Sequence, residues 1–187
     1  AKGHDFPCLT VVGVLDADNA LYSPDYRAPE KLFSQLMQVS GRAGRSNIKG
    51  EVLIQTAFPN NPVFEGVKKH DYEIFALTQL KEREQMGLPP YSFAAILRAE
   101  SKQLKYAEQF VNEAAKFAES LSNKVVIYDP VRPSIERLKG YERFQLYIQA
   151  NSRTDLQKLL NQWASYLIQC PLSNRVKWSI DVDPIEF

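Results

Sequence analysis

Eight consecutive residues, Gln38-Val39-Ser40-Gly41-Arg42-Ala43-Gly44-Arg45, concentrate the residue types suited to gripping a phosphate. Two arginines three apart at a helix end lie roughly on one face, and the glycines let backbone come close to a ligand. Guanidinium is planar and always charged, so such a pair fits a phosphate whose charge grows in a transition state. The same octet also reads as a solvated helix terminus, with cations near the negative end of the helix dipole. The leading glutamine and the strand-loop setting favour the phosphate reading.

A second cluster runs from Val131 to Phe144 (VRPSIERLKGYERF) and holds four cations, Arg132, Arg137, Lys139 and Arg143, against two acids. Tyr141 is interleaved with them. Cations for phosphates and an aromatic for base stacking suit single-stranded or branched DNA. Gln145, Tyr147, Gln149, Arg175 and Lys177 continue the same non-core face. The competing reading is a solvated hairpin beside a docked face. Arg153 and Gln157 lie one turn apart where a helix begins, and an arginine beside free N-terminal amides can take a carboxylate. The residues alone favour the plainer reading, an ordinary exposed first turn.

Other combinations carry less. His4-Asp5 and His70-Asp71 pair a histidine with an aspartate, but the chain has two histidines and nothing supplies the remaining metal ligands. Asp16 and Asp18 follow a strand, where turn capping accounts for them as well as Mg²⁺ does. Cys8 and Cys170 read as small apolar packing residues, and Lys81-Glu82-Arg83-Glu84 as a solvated run.

These groups need a scaffold. Leu9–Leu15 is a short apolar run that predicts a strand buried on both faces of a parallel sheet. A turn-rich stretch leads to Pro29, placed to open a helix that continues through Leu32, Phe33, Leu36, Met37 and Val39. Glu51–Thr56 is a second strand. Two helices follow, over 63–70 and 72–86, the latter amphipathic through Ile74, Phe75, Leu77 and Leu80, and Gly87-Leu88-Pro89-Pro90 ends it. From Phe93 the pattern is strand, helix (Leu104 to Leu121), strand at Val125–Tyr128, loop to about Glu142, strand at Arg143–Ala150, helix, strand. Ser152-Arg153-Thr154-Asp155 is a capping box for the last helix, with Leu156, Leu159, Leu160, Trp163 and Leu167 inward. The order β-α-β-β-α-β is a ferredoxin-like arrangement with both helices on one sheet face. The predicted organisation is residues 1–60, residues 61–90 as a helical connector, and residues 91–187 as a second domain.

The composition fits this picture. The 187 residues carry 23 Lys+Arg against 22 Asp+Glu, with 44% apolar residues. A net charge of +1 excludes wholesale basic character, while leaving room for local sites. No apolar run approaches a membrane span, and two cysteines cannot build a disulfide framework, so the expected setting is cytoplasmic. The opening Ala1-Lys2-Gly3-His4-Asp5-Phe6-Pro7 runs into a strand without a lead-in and reads as part of something longer.

QVSGRAGR resembles motif VI of superfamily 2 helicases, and AKGHDFP resembles the tail of their motif V. The stretch between them, LDADNALYSPDYRAPEKLFSQLMQ, and the ending WSIDVDPIEF are similar to the primosomal protein N-prime family of replication-restart DNA helicases. The resemblance implies an α/β and α+β chain, the end of a RecA-like helicase lobe 2 followed by the ferredoxin-like domain. It implies an ATP-dependent 3′–5′ DNA helicase, an ATP hydrolase that recognises stalled forks and restarts replication through primosome assembly. Arg42 and Arg45 then reach the nucleotide phosphates, with Arg45 as the arginine finger, and Gln38 helps organise the cleft. Lys2 and Gly3 couple the nucleotide to the DNA backbone. Arg137, Lys139, Tyr141 and Arg143 would contact branched or single-stranded DNA. Arg153 and Gln157 would take the acidic tail of single-stranded DNA-binding protein, and other primosome proteins are further implied partners.

The departures matter equally. These residues contain no G-x-x-x-x-G-K-[ST] loop and no acidic Walker B strand, so the half that binds ATP and Mg²⁺ is missing. The family's zinc-binding cysteine cluster is absent too. Alone, the chain is expected to be inactive. The alternatives are a non-catalytic nucleic-acid-binding module, and an acylphosphatase-like enzyme for which the phosphate loop is lacking.

Overall fold

The computed structural model describes residues 10–23, 25–41 and 50–185. Lys2, Gly3, the His4-Asp5 pair, Cys8, Arg42 and Arg45 lie outside the described residues. The chain divides into two compact units, Ala1–Lys81 and Glu82–Phe187.

In the first unit, strands β1 (Val11–Val14) and β2 (Glu51–Ile54) pair in parallel, with Val11 opposite Glu51 and Val14 opposite Ile54. Parallel neighbours need a crossover. It consists of a 3-10 helix at Ala17–Tyr22 and helix α1 (Ala28–Ser40), which has proline in its first turn as expected. Helices α2 (Pro62–Lys69) and α3 (Tyr72–Met86) follow. Leu32, Phe33, Leu36, Val63, Phe64, Val67 and Phe75 form the core, with Val14 and Ile54 packed on it. Phe33 stacks on Phe75 at 4.4 Å between ring centroids. Gly66 permits that approach, because a Cβ there would sit 3.0 Å from the Phe33 ring and 3.1 Å from Phe75 Cβ.

Two expectations need correction here. The first strand is not buried on both faces: Val11 is half-exposed and Leu15 is 79% exposed, as is much of Leu53. Among the described residues this sheet has two strands, so only its α1-facing side is covered. Helix α3 also turns a different face inward. Phe75 and Gln79 are buried, whereas Ile74, Leu77 and Leu80 are exposed. The Phe33–Phe75 stack sets the rotation of α3, and apolar content alone does not.

The aspartates and His70 have local duties. Asp18 accepts hydrogen bonds from Thr56 Oγ1 and from the Ala57 amide (2.7 Å), joining the crossover to the end of β2. Asp71 accepts from the Ile74 amide at 3.0 Å and caps α3, while His70 ends α2 in the left-handed region.

The second unit runs β3 (Phe93–Ser101), α4 (Leu104–Leu121), β4 (Val125–Ile127), β5 (Arg137–Leu138), β6 (Tyr141–Ala150), α5 (Arg153–Gln169), a 3-10 helix at Pro171–Arg175 and β7 (Lys177–Val182). Its antiparallel sheet has the order β4–β6–β3–β7, with β5 paired to β6. Both long helices cover one face. Leu97, Leu146, Ile148, Phe110, Leu159 and Trp163 are part of that core. The Trp163 indole N–H donates to the Ala114 carbonyl at 2.9 Å, fastening α5 to α4 inside the apolar layer. Ser152 caps α5 by accepting from the Asp155 amide, as the sequence box predicts. Cys170 is buried in the same core, and burial pushes its thiol pKa up, so the unreactive protonated form is favoured.

The predicted loop reaching about Glu142 is shorter than expected. Residues 137–138 pair back on 141–142 through a two-residue turn, Lys139-Gly140, with φ of 50° and 83°. Both positions are left-handed, which matches the twist that two-residue hairpins require. Glycine adopts it freely; Lys139 does so at a cost of about 1 kcal/mol.

Candidate nucleic-acid interface

The hairpin carries four of the sequence-predicted DNA contacts. Lys139 stands at its tip, Arg137 and Tyr141 flank the turn, and Arg143 lies two residues into β6. The loop before it is folded back by main-chain bonds from Val131 to Gln145 (2.9 Å) and from Arg143 to the Glu136 carbonyl (2.9 Å). Arg143 Nη1 also donates to the Ile135 carbonyl at 3.1 Å. Its position is therefore fixed by the loop it closes.

The cations are not equivalent. Arg132 is held between Glu136 (2.7 Å) and Glu142 (2.8 Å) and acts as the brace of the loop. Arg137 meets Glu142 only at 3.5 Å and is 67% exposed. An exposed pair of that length contributes little, so Arg137 is available to a phosphate. Arg98, on the neighbouring strand, pairs with Asp181 at 2.7 Å. Beside it a cleft of about 680 Å³ is lined by Arg98, Arg143, Ser134, Ile135, Asp181 and Asp183, a balanced set of charges.

The remainder of the expected face divides. Gln149 is fully engaged: its amide donates to the Gly87 carbonyl (2.6 Å) and Ser92 Oγ (2.8 Å) and accepts from the Tyr128 hydroxyl (2.9 Å). It anchors the segment leading into β3. Tyr147 packs against Tyr128 at 5.2 Å. Lys177, by contrast, lies 4.2 Å over the Tyr141 ring, which joins β7 to the hairpin. Sequence spacing offers no signal for that contact, because 36 residues separate the partners.

Arg153 occupies the first turn of α5, one turn before exposed Gln157. Its guanidinium sits 5.0 Å over the Phe93 ring and 3.3 Å from an Asp183 carboxylate oxygen. A carboxylate already occupies the place where an external one would bind.

Gln38 is exposed in the last turns of α1, before that helix closes with the Gly41 amide on the Met37 carbonyl at 3.0 Å. The two parallel strands start side by side, the Glu51 amide donating to the Thr10 carbonyl at 2.8 Å. Among the described residues, no group of three or more His, Cys, Asp or Glu is placed to hold a metal ion. No helix among them is long and apolar enough to cross a membrane.

Comparison with known proteins agrees with the second unit in particular. Residues 84–185 match the family described as the primosomal protein N C-terminal domain. Over 98% of the chain there is 36% identity to the replication restart protein PriA of Haemophilus influenzae, of which the match covers 25%. The Bacillus subtilis protein of that name is 36% identical over 98% of the chain, covering 23% of its length. That of Rickettsia felis is 40% identical over the whole chain, covering 28%. The chain spans about a quarter of the length of these relatives. With a family match over more than half of its residues, the chain belongs to the primosomal protein N C-terminal domain family.

Proposed function

We propose that the chain is part of an ATP-dependent 3′–5′ DNA helicase of superfamily 2 that recognises stalled forks and restarts replication. The observation that carries this reading is the similarity to replication restart proteins over nearly the whole chain, at 36% identity in two of them. Residues 1–60 would be the end of RecA-like lobe 2, residues 61–90 a helical connector, and residues 91–187 a ferredoxin-like domain. The sheet order β4–β6–β3–β7 with two helices on one face supports the last assignment. The parallel β1–β2 pair supports the first. At one end of that pair the Glu51 amide meets the Thr10 carbonyl, and in sequence Thr10 follows the residues carrying Lys2-Gly3 as Gly50 follows those carrying Arg42 and Arg45.

In the complete cytoplasmic protein, Arg45 and Arg42 neutralise the charge that builds on transferring phosphate, and Gln38 orders the cleft around them. The residues that hold ATP and Mg²⁺ would belong to the other lobe. Lys2 and Gly3 pass the closure of the cleft to the DNA backbone. Arg137, Lys139, Tyr141 and Arg143 place the fork. Zinc does not fit these residues, since Cys8 and Cys170 are the only two cysteines and Cys170 is buried in the core. The coding sequence before Ala1 tests the reading: it should specify a G-x-x-x-x-G-K-[ST] loop, and its absence would leave a non-catalytic nucleic-acid-binding module.

Arg153 and Gln157 are proposed to take the acidic tail of single-stranded DNA-binding protein, with the tail carboxylate displacing Asp183. Arg153→Ala should weaken binding of a tail peptide about tenfold, the loss of one charge-assisted hydrogen bond. Asp183→Asn should tighten it. Calorimetry that finds parental affinity in both variants removes this site.

A further inference from the structure

Three cations, Lys102, Arg175 and Lys177, surround the entry to β7, and two of them lie over tyrosine rings. Arg98, Arg132 and Arg153 each face a carboxylate. Among the described residues, Lys102, Arg175 and Lys177 have none within ion-pair distance. Instead, Arg175 lies 5.0 Å over the Tyr106 ring and donates to the Tyr106 hydroxyl at 2.7 Å. Lys177 lies 4.2 Å over Tyr141. All five residues line one concavity of about 420 Å³, with Glu100 as the one acid among its described residues.

We infer that this concavity binds a stretch of single-stranded DNA, with Lys102, Arg175 and Lys177 on phosphates and Tyr141 and Tyr106 against bases. The inference rests on the DNA-binding reading of this domain and extends it beyond the hairpin. Pairing Arg175 and Lys177 each with a ring provides both halves of sequence-tolerant recognition, charge for the backbone and a π-face for the base. Arg175 is held in place by the Tyr106 hydroxyl and needs little ordering on binding. Lys177 has a flexible four-carbon stem, so it can swing from the Tyr141 face to a phosphate and leave that face to a base. Base stacking is stronger than an exposed cation–π contact, which favours the exchange. Tyr141 belongs to both clusters, so the track runs from the hairpin across the start of β7 to the 3-10 helix. An acidic peptide would use the cations and leave the rings idle.

The test uses the 187-residue chain and a fluorescein-labelled oligothymidylate of about 20 nucleotides, titrated by anisotropy between about 50 and 200 mM salt. The Arg175→Ala/Lys177→Ala double variant should bind about tenfold or more weakly. Its log K against log salt should be shallower by about 1.4, two single-strand phosphate contacts. Tyr141→Leu should lose about tenfold with an unchanged slope, because stacking releases no counterions. These side chains are outside the core, and unchanged melting temperatures would show the fold kept. Parental affinity and slope in the double variant overturn the proposal. If reversing the hairpin charges abolishes binding while the double variant binds normally, the proposal falls and the domain's DNA reading stands. If the parent chain binds no oligonucleotide, both fall. A double variant that loses a polyglutamate peptide yet keeps the oligonucleotide also overturns it, in favour of an acidic-peptide site.

Discussion

Arg45→Ala in the complete protein should reduce DNA-stimulated ATP turnover by about 10³–10⁵-fold, the range an arginine finger supplies in related phosphoryl transfer. The loss should fall on kcat rather than on nucleotide affinity, because the guanidinium meets charge that exists mainly in the transition state. Arg45→Lys should recover little. Lysine keeps the charge but cannot present two parallel donors to phosphate oxygens. Arg42→Ala should be less severe if Arg45 is the finger. The melting temperature of both variants should match the parent, which separates a lost transition-state contact from a lost fold. Single-turnover measurement of phosphate release distinguishes this from a binding defect.

Reversing the hairpin, with Arg137→Glu, Lys139→Glu and Arg143→Glu together, should weaken binding to forked DNA about a hundredfold near 0.1 M salt. The dependence on log salt should become shallower by about 2.7, three duplex phosphate contacts at about 0.9 each. The three side chains differ in what else they hold. Lys139 stands at the turn, Arg137 has a long 3.5 Å contact to Glu142, and Arg143 closes the loop on the Ile135 carbonyl. Replacing both arginines by lysine keeps the charge and removes most of the loop contact. That variant should bind forks almost as the parent does if charge is what counts. Near-parental affinity in the charge-reversed triple variant would instead make the hairpin a solvated loop.

The residues themselves disclosed much of this architecture. Pro29 and the 32/33/36 spacing located α1, Ser152 and Asp155 located the start of α5, and alternation located β6. What stayed hidden has one common cause, the dependence on partners distant in sequence. Apolar Ile74 and Leu77 look like core until Phe33 and Gly66 decide which side of α3 turns inward. Leu9–Leu15 looks doubly buried because valine runs report what a strand tolerates, not how many neighbours cover it. Lys139-Gly140 is a weaker turn signal than asparagine or aspartate before glycine, so the sequence does not announce β5. For the candidate interface, composition identified the cations, yet only the folded hairpin separates bracing Arg132 from available Arg137. The same holds for Gln149, which looks like a polar face residue and is an internal anchor.

If this chain carries one half of a composite ATP site and a fork-binding domain, fork-stimulated ATP turnover, measured side by side for the complete protein and for the 187-residue chain, shows it most directly. The complete protein should turn over ATP when forked DNA is added, and the chain should bind the same fork without turnover. Turnover by the chain alone, or none by the complete protein with saturating fork, would contradict the claim.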